Sequence, residues 1–241
     1  MDELPCGVGL SVSRRASHVD WHDDATLSAQ IGAMDRQQRH QAVYLALRRL
    51  QAPLLGMEMP ADWGIDPAAL DSLIRRGGER LDGEADEVFL QAIGRLTSAP
   101  LFDSEVEPEF AESFQLEAIN GWLMLGEALG EMSETQTETL IYLARELADY
   151  LDGFMENSSA EIAGEDQRNA YLADVDDQLR SYGLRYFGTM NIAIELECHK
   201  AILAASDNDN LLASEVGRRL LVMCDKYSGE MLSVLRSLPE D

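Results

Sequence analysis

The sequence predicts an all-α protein. Apolar residues recur at steps of three and four along most of the chain, and helix-start and helix-stop residues bracket those runs. No segment alternates apolar and polar residues as a half-buried strand would. The expected architecture is six to eight helices in an antiparallel bundle or array. They form one domain over residues 23–241 behind an irregular segment, 1–22, and the best sub-boundary is 51–66.

Each element follows from local chemistry. From about Asp24, the spacing of Ile31, Met34, Val43, Leu47 and Leu50 predicts one broken or two short helices, ended by Pro53 and Gly56. Asp66-Pro67 starts the next: Asp caps, and proline suits the first helical turn, where its missing N–H would have no partner anyway. Leu70, Leu73 and Ile74 form its apolar face and Gly77-Gly78 stop it. A helix near 84–97 buries Val88, Phe89, Ala92, Ile93 and Leu96. Ser104-x-x-Glu107 is a capping box ahead of a helix that buries Phe110, Phe114, Ala118, Trp122, Leu125 and Leu129. Ser133-x-x-Gln136 is a second box, opening a helix through Leu140, Leu143, Ala144, Leu147, Leu151 and Phe154. The short link around Gly130 makes these two helices an antiparallel hairpin. Asn157-Ser158-Ser159 is expected to break the second one. A long helical stretch over 166–205 follows, with Gly183 and Gly188 as bending points. After the turn at 207–210, a last helix carries Leu212, Val216, Leu220, Met223, Tyr227, Met231, Val234 and Leu238 up to Pro239.

Composition narrows function. The chain has 241 residues, with 19 Lys+Arg against 44 Asp+Glu, a formal charge of −25. Such a field repels phosphate backbones and anionic lipid, so neither nucleic acid nor a membrane surface is an expected partner. No run is long and apolar enough for a membrane span, and the first residues lack the pattern of a secretory signal. Three widely spaced cysteines, Cys6, Cys198 and Cys224, fit neither a disulfide framework nor a zinc site. Reduced thiols in the cytoplasm are expected, with Cys198 and Cys224 as small buried apolar groups.

The motifs that carry chemistry are sparse. His18 and His22 stand four apart, with Asp23 beside them, a spacing that on a helix suits a divalent metal. With a distant carboxylate they would make a metal-dependent helical hydrolase of the His-Asp type, although no upstream ligand histidine precedes them. Asp174-Val175-Asp176-Asp177 has the wrong order for a magnesium-holding Asp-Asp-x-x-Asp motif. Glu195 and His199 lack the Glu-x-x-His spacing of a di-iron bundle, which makes His199 a core or surface residue. There is no nucleophile elbow and no glycine-rich phosphate loop. No catalytic residue, no metal ligand and no cofactor is therefore assigned.

What stands out is the distribution of charge. Residues 101–180 hold 20 acidic and 3 basic side chains. That excess costs stability through self-repulsion and calls for a use, and docking on a basic surface is the use that fits. In composition and architecture the chain resembles acidic all-helical bacterial toxin-immunity proteins, which plug the basic active site of a secreted toxin. The resemblance implies a basic protein partner, a cognate toxin, and carries over no individual residue. Charge alone nominates the 104–156 hairpin as the docking face, with Glu105, Glu109, Glu112, Glu134, Glu138 and Asp152 as contacts. The alternatives are the His-Asp hydrolase and a regulatory adaptor for some other protein.

Overall fold

The computed structural model describes residues 24–78, 87–103, 108, 110–161, 186–205 and 211–237. Among them it is all-helical, with nine α-helices and three short 3-10 turns and no strand. The helices are α1 (Asp24–Ala33), α2 (Arg36–Arg48), α3 (Gln51–Gly56), α4 (Pro67–Arg76), α5 (Glu87–Thr97), α6 (Phe110–Glu127), α7 (Glu134–Glu161), α8 (Tyr186–Ala204) and α9 (Glu215–Ser237). The all-helical expectation holds. The count exceeds the expected range because residues 24–56 form three helices rather than one or two.

α2 is the centre of the array. His40, Gln41, Ala42, Val43, Tyr44, Leu45, Ala46 and Leu47 are all buried, the signature of a helix enclosed on every side. It packs against α6, α7, α8 and α9. Its start is a capping box: Asp35 accepts from the Gln38 N–H at 2.8 Å and the Gln38 side chain accepts from the Asp35 N–H at 3.0 Å. The link after α6 is tied to the same place, where the Met132 N–H donates to the Arg36 carbonyl. Around this pillar, α4, α5 and α6 pack together on one side, while α3 lies on α9. A Cβ at Gly56 would sit 2.5 Å from Leu232 Cδ2, so that glycine lets the end of α3 approach α9 closely.

Most sequence-level signals take their expected form. Asp66 caps α4 by accepting from the Ala68 N–H at 2.9 Å. Ser133 and Gln136 form the expected box at the start of α7. Phe114, Ala118, Trp122 and Leu125 are buried on α6, with Trp122 edge-on to Tyr44 at 5.6 Å. The α6–α7 pair runs antiparallel: Phe114 stacks on Tyr150, while the Cβ position of Gly121 faces Leu140 and Leu143 of α7 and Leu47 of α2. Leu129 and Gly130 make the turn between them in left-handed backbone, φ 48° and 90°.

Three expectations need correction: Leu129, expected on the buried face of α6, lies beyond Glu127 in the left-handed turn and is only half-buried, and two more concern α7 and α9. Asn157-Ser158-Ser159 does not break α7, which continues to Glu161. Neither Pro nor Gly stands there, and Asn and Ser cost an α-helix interior only a few tenths of a kcal/mol each, about 0.5. The third concerns Val216, expected on the inner face of α9 but exposed, with Leu220, Cys224, Tyr227, Met231 and Val234 carrying the buried stripe. The Ser104–Glu107 box, the 166–185 part of the long helical stretch with Gly183, and the 207–210 turn lie outside the described residues. So do His18, His22 and Asp23.

Candidate functional site

Across α6 and α7 the sequence places a single basic residue, Arg145. The fold turns it inward. Its Nε and Nη2 donate to the two carboxylate oxygens of Glu195 on α8, at 3.1 and 2.5 Å, and the side chains are 10 % and 1 % exposed. The outer surface of both helices is thereby left without a positive charge of its own.

The acidic residues on that surface fall into two groups. Near the turn at Gly130, α1 and α2 compensate them. Arg36 pairs with Glu131, Arg39 pairs with Glu134 at 2.6 Å, and the Ser28 hydroxyl donates to Glu138 at 2.8 Å. Glu134 and Glu138, expected as docking contacts, are thus engaged within the fold, although Glu134 remains largely exposed. Toward the other end, Glu146 and Asp149 on α7 are exposed and flank Tyr150, itself 48 % exposed. Tyr150 lies on Phe114 of α6, rings 5.8 Å apart and nearly parallel. Glu117 follows Phe114 by one turn and Glu112 precedes it, both half-buried. The half-exposed Tyr150 ring stacked on Phe114, with exposed carboxylates on its own helix, combines apolar contact area with negative charge.

Asp152 is not part of this face. It is 4 % exposed, and its two oxygens accept the Phe187 and Gly188 N–H at 2.9 and 2.8 Å. A carboxylate of α7 therefore caps α8, satisfying N–H groups that have no partner within the helix. Spacing on α7 could not separate this role from an outward one. Gly188, expected as a bend, is one of the two capped residues. Glu105 and Glu109 lie outside the described residues.

The structure also assembles a buried polar layer that sequence reasoning missed. Asn191, Glu195 and His199 stand at four-residue steps on α8 and are all buried. Each meets one side chain from elsewhere in the fold. Arg49, just after α2, donates through Nε to Asn191 Oδ1 at 2.7 Å; Arg145 of α7 pairs with Glu195; Gln30 of α1 meets His199 Nδ1 at 2.6 Å. The signal was present as a polar i, i+4, i+8 stripe between apolar neighbours, but such a stripe reads equally well as a solvated face.

Burial sets the ionisation of this layer. It pulls His199 down to about 4, with the fields of Arg49 and Arg145 acting in the same sense and Glu195 opposing. His40, whose Nε2 meets the Gly77 carbonyl at 2.6 Å, is also lowered by burial. Cys198 and Cys224 are buried, as expected, and interact with each other. The hydrogen bond between them and burial raise Cys198, while that same bond, aided by Arg49, lowers Cys224 against the effect of burial. Burial raises Tyr227, whose hydroxyl donates to the Phe187 carbonyl at 3.0 Å.

Among the described residues no cluster of three or more His, Cys, Asp or Glu side chains is placed to hold a metal ion. Among the same residues no helix is long and apolar enough to cross a membrane. No family model, no curated protein and no solved structure matches the chain.

Proposed function

We propose that this chain is an acidic protein-binding module that docks on a basic protein partner and neutralises it, as a toxin-immunity protein does in the bacterial cytoplasm. The observation that supports this reading is the fate of Arg145. The one basic side chain of α6 and α7 is consumed by Glu195 inside the fold, so Glu146, Asp149 and the ring of Tyr150 face solvent with no cation from these helices among them. An uncompensated acidic face attracts a positive surface over several ångströms, accelerates encounter and disfavours wrong partners. The half-exposed tyrosine adds the apolar anchor that charge alone lacks. Glu117 extends the face onto α6, in place of the expected Asp152 contact.

The test has two arms. The chain is immobilised, partners are captured from its host, and association is timed at about 0.05 and about 0.5 M salt, where the Debye length falls from about 14 to about 4 Å. The captured partner is then expressed with and without this chain. A basic partner, an association rate that falls steeply with salt, and growth rescued by co-expression support the reading. A partner bound equally well at both salt concentrations removes its electrostatic basis. A partner harmless on its own removes the immunity role.

A further inference from the structure

The chain carries 19 basic side chains against 44 acidic ones, so a basic group on its surface ordinarily finds a carboxylate. Arg36, Arg39, Arg48, Arg75, Arg95 and Arg145 all do. Arg218 and Arg219 on α9 are different. Among the described residues neither pairs with a carboxylate, and Arg218 donates to the Ala213 carbonyl of its own approach turn.

Steps of three and four place Arg219, Val222, Lys226 and Gly229 along one face of α9, with Arg218 beside them, and all five positions are exposed. The buried stripe through Leu220, Cys224, Tyr227 and Met231 lies on the opposite side. Val222 is 66 % exposed, more than any other large apolar side chain among the described residues. A Cβ at Gly229 would meet nothing within 4 Å, so the face is open there. Lys226 reaches Glu230 only at 3.6 Å and stays exposed. The result is a basic, partly apolar strip on a strongly acidic protein.

The chain itself carries a surface of the matching kind. On α7 the half-exposed ring of Tyr150 stands beside the exposed carboxylates of Glu146 and Asp149. One face offers an apolar side chain flanked by carboxylates, the other an apolar side chain flanked by guanidinium groups. They do not meet within one copy, because α2 and α8 each pack against both α7 and α9 and stand between them. We propose that a second copy of this chain seats its Glu146, Asp149 and Tyr150 on the Arg218, Arg219 and Val222 strip of α9. A contact between two different faces is head-to-tail, so each copy keeps one face free for the next and growth does not stop at a dimer. The net charge of −25 opposes approach. At physiological salt the Debye length is about 8 Å, so the facing charges decide once the surfaces touch. The contact is weak and depends on protein concentration. A basic partner would compete for the same acidic face, but self-association stands without one.

Sedimentation equilibrium of the purified full chain, from about 5 to about 500 µM protein, tests it in the affinity range of weak contacts. The mean mass is expected to rise steadily with concentration, without a plateau at the dimer. Arg218→Glu with Arg219→Glu, and separately Glu146→Lys with Asp149→Lys, are each expected to weaken association at least about tenfold while keeping the helical spectrum of the wild type. Mixed in equal amounts, the two variants should associate again, because the acidic α9 of one meets the basic α7 of the other. A wild type that stays monomeric at the highest concentration overturns the proposal, whether or not a basic partner is captured from the host. Association that survives either reversal places the contact elsewhere and overturns it too. So does a mixture that stays monomeric, since the reversals would then act through net charge rather than through facing groups.

Discussion

Arg145 on α7 and Glu195 on α8 meet through two parallel hydrogen bonds, 3.1 and 2.5 Å, with almost no access to water. A pair held this way is costly to break and cheap to replace. Removing one partner leaves the other buried without its bidentate counter-charge, whereas replacing both by apolar groups removes the desolvation cost along with the attraction. Glu195→Ala is therefore expected to destabilise by about 3–5 kcal/mol in chemical denaturation. Arg145→Met combined with Glu195→Met is expected to recover most of that loss. A double variant as unstable as the single one would show that the pair is worth far more than its replacement.

Asp152 supports a second prediction. Its carboxylate is the N-terminal cap of α8 supplied from another helix, so its loss strands the Phe187 and Gly188 N–H groups in the core. Asp152→Ala is expected to cost about 2–4 kcal/mol, a lost cap plus buried unsatisfied donors. Asp152→Asn, which keeps one acceptor, costs less. Amide hydrogen exchange checks the location: protection should fall first at 187 and 188.

These two carboxylates mark the limit of what the sequence discloses. Apolar spacing and caps located Phe114, Trp122, Leu147 and Leu220 correctly, because burying an apolar face is decided within the helix that carries it. The Asp35-x-x-Gln38 box at the start of α2 is a signal of the same local kind. Asp152, Glu195 and Asn191 are different. Their partners lie 35, 50 and 142 residues away, so charge and period on one helix cannot say whether they face water or another helix. The acidic face was legible as an excess of charge. Which of its members remain free was not, since that depends on where α2 brings Arg36 and Arg39.

His199 makes stability depend on pH with a defined sign. Its pKa lies near 4 in the fold against about 6.5 in the unfolded chain, so between those values the unfolded chain binds more protons. The stability it contributes is complete above pH 6.5, falls as pH drops, and is lost by about pH 4. The full amount is about 3 kcal/mol. His40, lowered by the same burial, acts in the same direction. Carboxylate protonation relieves repulsion over part of this range, so the measurement is a difference. Between pH 7 and pH 4 the wild type is expected to lose more stability than His199→Gln, which keeps a hydrogen-bonding group beside Gln30. Parallel pH profiles would mean that His199 takes up its proton in the fold as easily as in water.

The acidic residues of α7 should separate by their partners. Glu146 and Asp149 face solvent beside Tyr150, whereas Glu134 holds Arg39 at 2.6 Å and Glu138 holds Ser28. Reversing Glu146 and Asp149 to Lys relieves like-charge repulsion, so stability is expected to hold or rise by a few tenths of a kcal/mol, about 0.5 at most. Reversing Glu134 places a cation beside Arg39 and lowers stability by about 1 kcal/mol. Against the captured partner the order inverts. The Glu146/Asp149 reversal is expected to slow association about tenfold at low salt and little at high salt, while Tyr150→Ala accelerates dissociation at both. The Glu134 reversal has the smaller effect on binding, because its charge is already compensated within the fold. Melting curves and association kinetics on the same three variants check both orders together. If the Glu134 reversal slows association more than the Glu146/Asp149 reversal, the partner meets the hairpin at its Gly130 end instead.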